Sequence, residues 1–293
     1  MNRVSLLPEN RQGEDRATPI VLRPSLEATW AIVCGLVAAG YFRWDGSHAL
    51  AIVATWLVVD AVLGCVFEQL VALKRTGWQQ IVSDDDTDPP LVHLPYAAPA
   101  SPGRRLIRQV SAYARHWRDQ IWPTSGRHGV TALFCTGLAL IVTTYLGRIM
   151  LAAASVGLLL AALMAILAQS NADALERWLS GLHVTLAWSM AGLIVGSWSA
   201  VSFGLALLAG LGTYARVWVY TGPNNSATAA RFLRIVWWCL VLILLLAKQP
   251  ILAMVVAVAA LAERARDGQL PVIGRMGWLA AILVAALAAN YWI

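Results

Sequence analysis

The sequence predicts an all-α, polytopic transmembrane helical bundle of about nine helices, with the N-terminus in the cytoplasm and the C-terminus outside. Composition is the first reason, since 59% of the 293 residues are hydrophobic and only 13% are charged, whereas a typical soluble domain has about 25% charged residues. The second reason is the length of the apolar segments, because a hydrocarbon core about 30 Å thick requires roughly 20 apolar residues per helix. The third is the position of the basic residues at the ends of these segments.

Nine apolar segments meet or approach the required length. The period-two alternation of transmembrane β-strands is absent, and a helix satisfies its own backbone hydrogen bonds in lipid. The predicted helices are residues 26–42, 48–73, 129–147, 149–169, 179–197, 199–220, 232–247, 250–262 and 277–293. Residues 26–293 therefore form a single transmembrane domain, which follows a cytoplasmic tail over residues 1–25.

The orientation follows from the basic residues. Nineteen of the 22 Lys and Arg residues lie on one side of the nine-helix arrangement, and only Arg43, Arg148 and Lys248 lie on the other. Cytoplasmic loops of membrane proteins carry the excess of Lys and Arg. The asymmetry predicts the orientation given above in a cell inner membrane. Because the net charge of +6 is then a topology signal, we do not expect a nucleic-acid partner.

Small residues predict where helices approach closely. Gly192 and Gly196 in the fifth segment form a small-xxx-small pattern, and Ala200 and Gly204 extend it into the sixth. Such patterns allow the backbones of neighbouring membrane helices to pack tightly. We therefore predict close packing at this end of the fifth helix.

A cytoplasmic loop over residues 74–128 is the longest predicted connection. Its first half contains DDDTDPP and further prolines, a composition that disfavours regular structure. Residues 104–122 then have apolar residues at helical spacing, which predicts an amphipathic helix on the inner leaflet. The basic residues that would face the membrane surface are Arg104, Arg105, Arg108, Arg115 and Arg118. This helix either anchors the loop to lipid, which is the simpler interpretation, or serves as a lid or docking element.

The acidic run of the loop is a weak candidate metal site. Its members are Asp84, Asp85, Asp86 and Asp88. Several carboxylate oxygens would suit a divalent cation, but no feature of the sequence preorganises them, so we favour a solvated acidic loop. No two histidines are predicted to face each other at one depth, and no haem is expected.

Asp60 and Glu68 lie inside the second apolar segment, with Gly64 between them. A carboxylate in hydrocarbon costs about 2.5–3.5 kcal/mol on insertion scales, so it normally faces the bundle interior and has a partner. The spacing of four residues places the three on one stripe about 12 Å long. Together with His183, early in the fifth segment, they are candidates for a ligand or proton pocket. The alternative is structural: Asp60 would pair with Ser, Thr or Trp donors, and Glu68 would reach the headgroup region.

The layout resembles that of the UbiA-type intramembrane prenyltransferases in its nine helices, its orientation and its cytoplasmic element after an acidic helix 2. The resemblance covers nearly the whole chain in plan. Enzymes of that family carry NDxxDxxxD at the end of helix 2 and a second Asp-rich motif after helix 6, which hold Mg²⁺ and a prenyl diphosphate. Here the corresponding stretches read DAVLGCVFEQLVALKR at 60–75 and RVWVYTGPNNSATAAR at 216–231. The first has carboxylates eight residues apart, and the second has none.

The resemblance implies an isoprenoid ligand with the diphosphate chemistry altered or lost. We therefore expect a multi-pass membrane protein that binds an isoprenoid, quinone, pigment or other lipidic molecule, or that serves as a subunit of a larger membrane complex. One alternative is a divergent prenyltransferase, which would hold Mg²⁺ with Asp60, Glu68 and the acidic run. The other is a small-solute or proton-coupled transporter that uses Asp60.

Overall fold

The computed structural model describes residues 25–40, 46–75, 122–168, 171–196, 199–221, 226–265 and 271–290, and six isolated positions between residues 103 and 118. These residues are helical apart from short turns, and they contain no strand. The nine continuous helices within them are α1 (Leu26–Ala38), α2 (Gly46–Trp56, Leu57–Leu63 and Gly64–Arg75, which follow one another without a break), α3 (Trp122–Leu146), α4 (Arg148–Leu167), α5 (Ala172–Val195), α6 (Ala200–Thr221), α7 (Ser226–Leu246), α8 (Pro250–Ala265) and α9 (Pro271–Asn290).

Each predicted segment overlaps one of these helices, although several helices begin six or seven residues earlier than predicted. The all-helical architecture is confirmed for the described residues. Helices α2 to α7 are long and apolar enough to cross a membrane, as a multi-pass membrane protein requires. In α1, α8 and α9 the apolar stretches have only 10–17 residues. The number of spans and the orientation of the termini therefore stay predictions. The predicted tail before Ser25 lies outside the described residues, as does most of the 74–128 loop.

The helix ends follow from local sequence. Ser25 precedes α1, and its Oγ accepts the backbone N–H of Ala28 at 3.1 Å, which satisfies one of the donors left over at a helix N-terminus. Asn171 does the same for α5. Gly196 ends α5 with a φ of 78°, the left-handed conformation that glycine adopts without strain. Local sequence therefore accounts for these three helix ends.

Helix α5 lies at the centre of the bundle. It packs against α1, α2, α4 and α6. In its 18-residue apolar stretch 56% is buried, compared with 44% in the corresponding stretch of α2. Small residues on several of its faces allow this. A Cβ on Gly181 would lie 2.8 Å from the carbonyl oxygen of Gly210 in α6, so the two glycines mark the closest approach of these helices. The predicted contact at Gly204 is not made within the described residues, since nothing lies within 4 Å of a Cβ placed there.

The C-terminal end of α2 holds one end of the bundle together. Lys74 is buried, and its Nζ donates to the carbonyl of Ala165 in the last turn of α4 at 2.9 Å. Arg75 pairs with Glu176 in the first turns of α5 at 2.7 Å. A cation near a helix C-terminus and an acid near a helix N-terminus both complement the helix dipole. These contacts fix α2 against the ends of α4 and α5.

Candidate functional site

Asp60 is buried inside the bundle, where its side chain is only 3% exposed. Its Oδ1 accepts the backbone N–H of Ser25 at 2.8 Å, and its Oδ2 accepts the hydroxyl of Thr29 at 2.9 Å. The Thr29 oxygen in turn accepts the indole N–H of Trp56 at 3.1 Å. The carboxylate therefore has a donor on each oxygen, and both donors belong to the first turn of α1 or the residue that precedes it.

This contact places the beginning of α1 level with the middle of α2. Asp60 lies midway between Gly46 and Arg75, whereas α1 has 13 residues and is only about 20 Å long at 1.5 Å per residue. Helix α1 is thus half as long as its partner. The positive end of its dipole lies inside the bundle, where the Asp60 carboxylate compensates it.

Around Asp60 the helix widens into a π-helical turn over Leu57–Leu63. The N–H of Gly64 bonds to the carbonyl of Val59, five residues earlier. The same carbonyl also accepts Nε2–H of His183 from α5 at 2.8 Å, which fixes the proton on Nε2. Turns of this kind are rare and recur at functional sites. Here the wider turn makes one carbonyl accessible to two donors.

Gly64 allows the His183 ring to lie against α2. A Cβ at Gly64 would lie 3.2 Å from the ring carbon Cε1, tighter than nine in ten real contacts of a Cβ atom. Phe67, also on α2, contacts the His183 ring edge to face, with ring centroids 5.6 Å apart. Gly64 and His183 therefore meet at the α2–α5 contact, next to Asp60, whose carboxylate bonds to α1 and the residue before it. Glu68 does not join them, because it is exposed two turns further along α2.

The other predicted site residues are mostly outside the described part of the chain. This applies to Asp84, Asp85, Asp86 and Asp88, and to Arg104, Arg105, Arg108 and Arg115. Arg118 is described and is exposed. Among the described residues, no three His, Cys, Asp or Glu side chains are grouped so that they could hold a metal ion.

Sequence reasoning missed a groove on the side of the bundle, which we call the α5 groove. Helix α5 forms its floor, α4 and α6 form its walls, and its volume is about 530 Å³, within the range of about 300–1,000 Å³ typical of small-molecule sites. It extends along α5 from Trp178 to Leu193, about 22 Å at 1.5 Å per residue. Its apolar lining includes Ile149, Val156, Leu160 and Met164 of α4, Leu182 and Leu186 of α5, and Phe203, Leu207 and Leu211 of α6.

One polar group in the α5 groove has no partner. Ser189 is 9% exposed and lines the groove, and its Oγ forms no hydrogen bond with the described residues. Thr185, one turn earlier, donates to the carbonyl of Gly181 at 3.0 Å. An unpaired buried hydroxyl costs about 1–3 kcal/mol. A ligand in the groove that reaches Ser189 would remove this cost.

Aromatic side chains form one end of the groove. The rings of Trp178 and Tyr214 are 4.4 Å apart, and Tyr214 also contacts Trp218 and Phe232 of α7. Tryptophan and tyrosine concentrate at the membrane–water interface. The groove thus extends from an aromatic cluster of interfacial type into the apolar middle of the bundle.

Comparison with known proteins found no relative: no family model matches the chain, and no curated protein or solved structure matches it. The resemblance in layout to UbiA-type prenyltransferases therefore stays a prediction.

Proposed function

We propose that this multi-pass membrane protein binds a lipid whose apolar chain lies in the α5 groove. The observation that carries the proposal is the combination of an apolar groove of about 530 Å³ with the unpaired Ser189 hydroxyl inside it. Ligand sites in proteins are typically apolar cavities with a few polar groups that fix orientation.

The groove is accessible from the side of the bundle. Residues on its α4 and α6 walls are well exposed, with Val156 at 55% and Leu207 at 43%. If α4, α5 and α6 cross the membrane, these side chains face the hydrocarbon core. A ligand would then enter from the bilayer, and it would not need to pass through water.

Burial of the chain does not by itself explain binding, because lipid tails are as apolar as the groove lining. A lipid has a lower free energy in the groove than in the bulk bilayer only if the groove fits its shape and supplies polar contacts. The hydroxyl of Ser189 supplies one such contact, to a ligand carbonyl, hydroxyl or quinone oxygen. It is worth roughly 0.5–1.5 kcal/mol when the partner is neutral.

The length of the groove favours a long chain. At about 22 Å the groove exceeds half of a hydrocarbon core about 30 Å thick. A chain that fills it passes the bilayer midplane, which supports an isoprenoid or similarly long chain over the acyl chain of one leaflet. A subunit role, with a helix of another protein in the groove, is the outcome that would contradict lipid binding.

Ala153→Trp tests the proposal by filling the groove. Ala153 lines the groove on α4, and an indole at this position would occupy the path of the chain. We expect at least a tenfold loss of bound lipid after purification of the full chain in mild detergent, measured by mass spectrometry of the extracted lipids. Ala162→Trp on the exposed face of the same helix is the matched control and should retain the lipid. Equal lipid content in both variants would exclude the groove as the binding site.

Ser189→Ala is the companion variant in the same measurement. Because its hydroxyl is unpaired, its removal should leave the free energy of unfolding unchanged or raise it, while lipid retention falls about fivefold, the equivalent of about 1 kcal/mol. Ser202→Ala, by contrast, should lower the free energy of unfolding, since Ser202 accepts the indole N–H of buried Trp188. Loss of stability in Ser189→Ala would show that the hydroxyl has a structural partner instead.

The proposal includes the orientation with the N-terminus in the cytoplasm and the C-terminus outside, which the distribution of basic residues supports. A reporter fused after Ile293 is expected to be accessible from outside, and one inserted at Pro99 from the cytoplasm. The test is informative because α8 and α9, which lie between the two reporters, have short apolar stretches. Reporters on the same side would show that one of these two helices fails to cross.

A further inference from the structure

Arg177 lies beside the aromatic end of the α5 groove. It precedes Trp178, which lines the groove, and its Cζ lies 5.7 Å from the ring centroid of Trp218. Trp218 in turn contacts Tyr214, another lining residue. Arg177 is five residues into α5, about 8 Å from the helix start. The cation therefore lies at the point where the headgroup of a lipid in the groove would emerge.

The two acids nearest to Arg177 in sequence both lie beside another cation, Arg75. Glu176 bonds to Arg75 at 2.7 Å, and Asp173 also lies near Arg75, at 3.9 Å. The Nε of Arg177 is buried and has no hydrogen-bond partner within the described residues. A buried donor of a charged group without a partner is costly, and it is the kind of group that a ligand satisfies.

The geometry points to a phosphate-bearing lipid in the α5 groove, with its anionic headgroup bound by Arg177. This inference rests on the proposed function, because the groove must first hold a lipid. Contact between a guanidinium and the face of an aromatic ring leaves the N–H donors in the guanidinium plane available. Those donors match the oxygens of a phosphate in a bidentate arrangement. Arg177 then fixes the headgroup, and the apolar chain lies along the groove. Ser189 is twelve residues further along α5, about 18 Å away, so it bonds only to a ligand that carries an oxygen at that distance from its phosphate.

Binding of paired lipids to the full chain in mild detergent tests the inference by native mass spectrometry. One pair is phosphatidylglycerol and phosphatidylcholine with identical acyl chains, and the other is a polyprenyl phosphate and the polyprenol of the same length. The native protein should bind the anionic member of at least one pair about tenfold more tightly, the lower range for a hydrogen bond to a charged group. The pair that shows the preference identifies the source of the phosphate.

Arg177→Gln should abolish this preference and leave the binding of the neutral lipids within about twofold. Arg177→Lys keeps the charge but lacks the paired N–H donors of the guanidinium, and it should retain part of the preference for the anionic lipid. The matched control is Arg231→Gln, since Arg231 is exposed and lies equally far into α7. An equal loss in Arg231→Gln, or no preference in the native protein, would overturn the headgroup assignment. Such a result would leave lipid binding in the groove intact, because Ala153→Trp tests that separately.

Discussion

Asp60→Leu is expected to lower the free energy of unfolding by about 3 kcal/mol. The substitution leaves the Ser25 N–H and the Thr29 hydroxyl without their acceptor, and each stranded donor costs about 1–3 kcal/mol. It also removes the charge that compensates the dipole of α1, worth up to about 2 kcal/mol in a partly buried setting. Removal of an acid from the bundle interior offsets part of this loss. Reversible unfolding in mixed detergent micelles measures the difference.

Asp60→Asn is the control that keeps the shape of the side chain and removes its charge. Its amide oxygen still accepts the Ser25 N–H, whereas its NH₂ group cannot accept the Thr29 hydroxyl, so we expect a loss of about 1 kcal/mol. Thr29→Val should cost more, because it also leaves the Trp56 indole N–H without its acceptor, and this additional loss should persist in combination with Asp60→Asn. A Leu variant that is more stable than the native protein would mean that the acid is merely tolerated. If lipid retention or ion flux then fell in Asp60→Asn without loss of stability, the predicted ligand or proton role of Asp60 would be supported.

Gly210→Val is expected to destabilise the protein by about 3 kcal/mol, at the upper end of overpacking effects. A Cβ at this position would lie 2.5 Å from the carbonyl oxygen of Gly181 and would collide with Thr185 Oγ1. Both obstacles belong to α5, which cannot move without disturbing its contacts with α1, α2 and α4. Because Gly210 also lines the α5 groove, lipid retention should fall together with stability.

Gly204→Val on the same helix is the matched control. Nothing lies within 4 Å of a Cβ at Gly204, so the substitution should change the free energy of unfolding by less than about 1 kcal/mol. Equal effects of the two substitutions would show that α5 and α6 do not approach each other at Gly210. Chemical or thermal unfolding of the two variants side by side is sufficient.

The helices could be predicted from sequence because length and hydrophobicity act along the chain and need no knowledge of neighbours. The role of glycines could not be predicted in the same way. Gly192 and Gly196 have the familiar spacing, yet Gly196 ends α5, whereas the close contact joins Gly181 to Gly210. Such a contact depends on two helices at once, and its members are spread over two segments that show no shared pattern.

Only part of the candidate site could be predicted from the sequence, because some of its features depend on neighbouring helices. Asp60 and His183 are conspicuous because polar groups are rare in apolar segments. In the structure His183 bonds to the carbonyl of Val59, the neighbour of Asp60, while the Asp60 carboxylate bonds to Ser25 and Thr29. The donors to Asp60 are Ser25 and Thr29, ordinary residues whose importance appears only when α1 is placed beside α2. The α5 groove left no signal in the sequence, because Ser189 differs from a paired serine only in what surrounds it.

Helix α1 is only about half as long as α2, and this affects how the protein enters the membrane during synthesis. With 13 residues, α1 falls short of the roughly 20 that an independently inserting helix needs, and its first backbone amide would meet hydrocarbon without a partner. Asp60 supplies that partner, but only after α2 has emerged from the ribosome. If α1 crosses the membrane, we therefore expect it to insert together with α2 as a hairpin, in which the Ser25 amide and the Asp60 carboxylate shield each other from lipid.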